Sequence, residues 1–154
     1  MSEAIRQGDI PGVQLRCRRS IDLPVDAAWP FLVEPARLEA WLCRRARAGE
    51  GVVEWVGSFD LEGEPTETVR ILESQAPRRL LTSLNQADWT AATRLEFELF
   101  ETEHGCEVSV LQNGFEHLPL SISLTVWEAY RRRWRAALDR LATQVEPPRS
   151  EGTP

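Results

Sequence analysis

The sequence predicts an α+β domain in which a curved antiparallel sheet of six to seven strands wraps a long C-terminal helix, with two short helices after the first strand. Three observations carry this reading. An alternating strand stops at Pro24 and runs directly into two short helical turns. A long middle region then alternates apolar and polar residues with no helical period. Residues 118–145 repeat instead at three- and four-residue steps, so a helix ends the domain.

Each element follows from its own pattern. Val13, Leu15, Cys17, Arg19 and Ile21 alternate with Gln14, Arg16, Arg18, Ser20 and Asp22, the period-two mark of a half-buried strand. Arg19 is the exception, a charge on the inward set. Asp26 is placed to cap a short helix carrying Trp29 and Leu32, and Pro35 opens a second with Leu38, Trp41 and Leu42. Trp55, Gly57, Phe59 and Leu61 alternate against Glu54, Ser58, Asp60 and Glu62, a further strand. Gly63-Glu-Pro65 reads as a turn, and residues 66–72 as the next strand, with Val69 and Ile71 on one face. Ala76-Pro77-Arg78 interrupts the pattern, which resumes over residues 80–85. Leu95, Phe97 and Leu99 alternate with Arg94, Glu96 and Glu98, and Glu103-His104-Gly105 supplies a hairpin turn into Val108 and Val110. Strands that are polar on one face suit an open sheet with one covered side. In the last segment Trp127, Tyr130, Trp134, Ala137, Leu138, Leu141 and Val145 form a helical stripe, with Arg131, Arg132, Arg133, Arg135 and Arg140 mostly off it.

The expected organisation is a flexible lead-in over residues 1–12, a single domain over 13–145, and a disordered tail over 146–154, where Pro147, Pro148 and Gly152 fall. A chain of 154 residues, 42% hydrophobic and 27% charged, is the size of one ordinary domain. Such a length buries roughly 70% of its extended surface without staples. The net charge of -6, with a pI near 5.0, argues against nucleic-acid and anionic-membrane partners. All 18 basic residues are arginine, which coding bias explains as well as function does. With no charged-then-apolar leader and no apolar run long enough to span a bilayer, a cytoplasmic chain without membrane insertion is expected.

Chemistry-bearing motifs are sparse. Cys17, Cys43 and Cys106 are odd in number, far apart and without metal spacing, and read as reduced thiols. His104 and His117 lie in separate loops, with neither HxxxH nor CxxC spacing nearby. Nucleophile elbow, phosphate-binding glycine loop and dinucleotide fingerprint are all missing, so no cofactor, metal or catalytic residue is expected. The arginine run at 131–135 reads as a solvated or homodimer-contacting face rather than a nucleic-acid contact.

The order of residues carries a resemblance. Arg19-x-Ile21-x-x-Pro24 followed by Trp29, then Glu34-Pro35-x-x-Leu38-x-x-Trp41, resembles the opening of SRPBCC (START-like) domains, and within them the heat-shock ATPase activator homologues. The similarity continues through Gly57-Ser-Phe59, Ala76-Pro77-Arg78-Arg79-Leu80, Asn113-Gly114-Phe115 and Trp134, covering about residues 13–145. Its specificity lies in order and spacing rather than in any one piece. In that branch a glycine often precedes the late tryptophan; here Arg133 stands there. The resemblance implies a helix-grip fold and a hydrophobic cavity between sheet and helix.

Core packing accounts for most of the six tryptophans and five phenylalanines. The resemblance adds that some line a ligand pocket, for which the candidates are Trp41, Phe59, Ile71, Trp89, Phe97, Val110, Phe115, Tyr130 and Trp134. Tyr130, the only tyrosine, would need a hydroxyl partner if buried. Arg19 is the sharpest polar candidate, either binding a ligand carboxylate or phenolate or, as the simpler account, forming a structural ion pair at the strand's end. Gln112 and Thr82 are further inward polar groups, and Phe115 could gate the cavity mouth. The expected function is binding of a small hydrophobic or amphipathic ligand. Two alternatives rank below it: an enzyme resembling the polyketide cyclases and aromatases of the superfamily, and an interaction module like the co-chaperones that stimulate a heat-shock ATPase.

Overall fold

A computed structural model describes residues 9–145, and shows one seven-stranded antiparallel sheet against one long helix. Strand β1 (Gln14–Ile21) is followed by three single-turn helices, α1 (Val25–Ala28), α2 (Pro30–Val33) and α3 (Pro35–Leu38). Six strands form a meander: β2 (Cys43–Gly49), β3 (Val52–Ser58), β4 (Thr66–Gln75), β5 (Arg79–Gln86), β6 (Thr93–Glu101) and β7 (Cys106–Asn113). A 3-10 turn (Phe115–His117) then leads into α4 (Leu120–Gln144). The sheet order is β1-β7-β6-β5-β4-β3-β2, so β1 and β2 are its two edges. This is the helix-grip architecture that the pattern predicts.

The differences from expectation have local causes. Three short helices stand where two are predicted, because Pro30 opens a turn of its own between α1 and α3. Asp26 lies inside α1 and makes no cap; Pro24 occupies the capping position. Strand β2 escapes the pattern because only Cys43 and Ala46 of its seven residues are buried, and its arginines face water along an edge. Gly57, at φ +71, breaks the alternation of β3 in a conformation that side chains rarely tolerate. The break turns Ser58 inward and leaves Phe59 43% exposed outside the strand, so Phe59 does not belong to the interior. A Cβ on Gly105 would come within 2.3 Å of the Ile21 carbonyl oxygen, so the β6–β7 turn lies against the end of β1 only with glycine there.

The core lies between the concave side of the sheet and α4. Ser123, Trp127, Tyr130, Arg133, Trp134, Ala137, Leu138 and Leu141 form the buried stripe of α4. Arg133 corrects the reading of the arginine run as an outer face: it is wholly buried. Of the expected lead-in, residues 9–12 form a turn tied back to β1 through Ile10 and Gln14. The rest of that lead-in, and the expected tail over 146–154, lie outside the described residues. Among the described residues, no helix is long and apolar enough to cross a membrane.

Candidate functional site

The interior is built around Trp134, the first tryptophan of α4 to be fully enclosed. Its ring meets Phe97 at 5.7 Å and Trp55 at 6.2 Å, both edge-on, and Trp41 at 6.5 Å. Its indole N–H donates to Gln112 Oε1 at 2.8 Å, and the Gln112 amide donates to Thr93 Oγ1 at 2.9 Å. Thr82 closes this group by donating to the Leu95 carbonyl. Gln112 and Thr82 therefore point inward as predicted, each with its partners met.

A second polar group lies beside the first and is charged. Glu67 on β4 and Arg133 on α4 are both 0% exposed, and Arg133 Nη2 donates to Glu67 Oε1 at 2.7 Å. Ser58 Oγ accepts a second bond from Nη2 at 2.9 Å and donates to Glu67 Oε1. The Tyr130 hydroxyl donates to Glu67 Oε2 at 2.7 Å and accepts from Gln86 Nε2 at 2.7 Å. The Arg133 guanidinium also stands 4.4 Å from the Trp134 ring centre, with the Tyr130 and Trp55 rings at 5.3 and 5.4 Å. Taking two charges out of water is expensive, and this density of hydrogen bonds and ring faces is what offsets the cost. Burial, and then the Glu67 carboxylate, push the Tyr130 hydroxyl well above the ordinary tyrosine range, so at neutral pH it is a fixed donor.

Among the described residues, three donors in this region have no acceptor: Arg133 Nε, Arg133 Nη1 and Trp55 Nε1, all buried. A buried donor left unmet costs on the order of 1–3 kcal/mol, and native proteins hold few of them. All three belong to groups in mutual ring contact, with no free acceptor beside them.

The predicted site residues divide into three groups. Trp41, Phe97, Val110, Phe115, Tyr130 and Trp134 come together in the interior, each 0 or 1% exposed, so the protein's own rings occupy the space between sheet and helix. Trp89 and Ile71 are half-buried at its margin; Trp89 covers Tyr130 at 5.8 Å, and Phe115 approaches the same ring at 6.0 Å. Phe59 and Arg19 are outside. Phe59 lies under the Arg140 guanidinium at 5.1 Å. Arg19 pairs with Asp139 of α4 at 3.1 Å on the open edge of β1, the ion pair at the strand's end that was the simpler account of its charge. Charge and edge position draw it out, because among the described residues no strand covers β1 on that side.

Glu67 and Arg133 were missed, although both obey the periods used to find their neighbours. Glu67 shares parity with Val69 and Ile71, and Arg133 lies three residues after Tyr130 and four before Ala137. Of the described residues, no group of three or more His, Cys, Asp or Glu side chains could hold a metal ion. The three cysteines are free and buried.

Comparison with known proteins follows the same lines. The family model described as activator of Hsp90 ATPase homolog 1-like protein matches residues 22–146. A solved protein from Chromobacterium violaceum superposes with a TM-score of 0.70 at 20% identity, covering 88% of this chain and 99% of that one. CalU16 from Micromonospora echinospora gives 0.62 at 23% identity, covering 87% and 75%. DynU16, from the dynemicin biosynthetic locus, gives 0.69 at 17% identity, and the match spans 87% of this chain but 47% of that one. At these identities the likeness is one of fold. No curated protein matches the sequence.

Proposed function

The chain belongs to the activator of Hsp90 ATPase homolog 1-like family of the SRPBCC superfamily, and from that premise we propose that it binds a small amphipathic molecule between sheet and C-terminal helix. The observation that carries this reading is the set of three buried, unmet donors within an aromatic enclosure. Because the free groups only donate, the guest's polar end is an acceptor, a carbonyl, carboxylate or phenolate oxygen. Its apolar body takes the place of rings at the margin, where half-buried Trp89 is the least enclosed member. Apolar burial at about 25 cal/mol per Å² supplies the affinity, and the donors supply orientation.

Catalysis ranks below binding here. The Tyr130 hydroxyl is engaged by Glu67 and Gln86 and holds its proton, which makes it a poor general base at neutral pH. The family description and the exposed Leu120, Ile122 and Leu124 at the start of α4 favour a second reading, contact with a heat-shock ATPase.

The test is native mass spectrometry of freshly purified protein, joined to tryptophan quenching by dodecanoic acid and by quercetin. The expected result is saturable quenching by at least one probe, weakened in Trp55→Phe and lost in Arg133→Met. Absence of both a co-purifying molecule and any saturable quenching overturns the proposal. Trp55→Phe keeps the test valid should Arg133→Met fail to fold.

A further inference from the structure

We propose that the open edge of the sheet carries a second binding site, a cleft between β1 and α4 that takes a small polyanion presenting two or more phosphate or carboxylate groups. The cleft has a volume of about 630 Å³, and its walls carry Arg16, Arg18, Arg19 and Arg135 against Asp9 and Asp139. Four arginines less two aspartates leave the lining at +2, on a chain whose net charge is -6. The sign of this cleft is therefore opposite to that of the molecule around it.

The carboxylates are already engaged. Asp9 accepts the Arg16 backbone N–H at 2.9 Å, an edge group with no strand to pair with, and also faces Arg131 Nε at 3.3 Å. Asp139 is taken by Arg19. Arg16 is held in place by its bond to Ser109 Oγ at 3.2 Å. Arg18 from β1 and Arg135 from α4 remain, and neither has an ion-pair or hydrogen-bond partner among the described residues. Both line one cavity, one from the strand and one from the helix, so a guest with two anionic groups can engage both at once.

The floor adds to the effect. Cys17 and Leu138 beneath the arginines are buried and uncharged at neutral pH, and a low-dielectric base strengthens attraction to an anion above it. Guanidinium forks match carboxylate and phosphate oxygens two at a time, which favours these groups over halide. The volume is that of a small-molecule site. The overall negative charge of the chain works against a nucleic acid, whose phosphates extend far past the cleft.

Isothermal titration with inorganic pyrophosphate and with citrate, at fixed ionic strength, tests the site. Wild-type protein is expected to bind at least one of them, with Arg18→Ala and Arg135→Ala each weakening affinity roughly tenfold. Because neither arginine side chain has a partner among the described residues, both variants should melt as the wild type does in the absence of anion. Arg132→Ala removes an exposed arginine of the same helix outside the cleft and should leave affinity unchanged. The proposal is overturned if neither anion binds beyond a chloride control, if Arg18→Ala and Arg135→Ala bind as wild type, or if Arg132→Ala weakens binding equally.

Discussion

Arg133 and Arg135 stand two residues apart on one helix and live under opposite rules. Arg133 is 0% exposed, locked to Glu67 and Ser58 and stacked among three rings. Arg135 is exposed on the wall of an open cleft with no ion partner among the described residues. Inside, the charge persists because a carboxylate, a hydroxyl and three ring faces stand in for part of its lost water, so those neighbours are committed to it. At the edge, water does that work, and the charge stays available to a guest. Burial, not neighbourhood in sequence, decides what an arginine is for.

The sharpest way to break this comparison is to remove one partner from each region. Glu67→Ala leaves Arg133 charged and unpaired in the interior, and a loss of about 3–5 kcal/mol in unfolding free energy is expected by urea denaturation. Glu67→Leu with Arg133→Met removes both charges and should cost far less than the single change, since two apolar side chains need no compensation. A Glu67→Ala loss below about 1 kcal/mol would mean that water already reaches the pair, and the contrast with the cleft would dissolve.

A middle-sized effect comes from the thiols, one in each region. Cys17 at the edge cleft and Cys43 near the buried pair are both pushed from 9.0 up to about 11, by burial above all; after it Asp9 raises Cys17 further, whereas Arg133 pulls Cys43 back down. Cys106 is raised to about 11 by burial alone. A thiol that keeps its proton longer folded than unfolded contributes stability that is complete below pH 9 and is lost as pH rises toward 11. The thiols act alone from pH 9 to 10, where the chain has no lysine to titrate; above pH 10 its one tyrosine, also held protonated on folding, adds to the loss. Urea midpoints are expected to fall between pH 9 and 11, by on the order of 1 kcal/mol per thiol. A Cys17→Ala, Cys43→Ala, Cys106→Ala variant should flatten that fall. An unchanged slope would show that the thiols are as wet folded as unfolded.

What could be read from the sequence tracks the same division. The helical stripe of α4 and the strands β4 to β7 were legible because most of their buried positions are apolar, and apolar periodicity is the strongest signal available. Two failures came from backbone that interrupts a period: Gly57 resets β3 and sends Phe59 outward, and Pro30 makes a third short helix. β2 failed because an edge strand with two buried residues has almost no pattern to read. The buried pair failed for a different reason. Glu67 and Arg133 sit at inward positions by parity and by helical step, but a charge is normally taken as evidence of exposure, and only the partner across the sheet–helix gap reverses that inference. No local pattern contains the partner.

Arg19 gives the smallest effect and the closest control. Like Glu67 it carries a charge on the inward parity of its strand, so by period alone the two are equivalent. Its strand, however, is an edge, and its side chain is 45% exposed beside an Asp139 that is 72% exposed. An ion pair that wet loses most of its Coulomb energy to solvent and to the entropy of holding two mobile side chains. Arg19→Ala should therefore change unfolding free energy by no more than about 0.5 kcal/mol, and less at high salt. A loss approaching that of Glu67→Ala would place Arg19 in the interior class and make inward parity, rather than burial, the property that sets the worth of a charge in this fold.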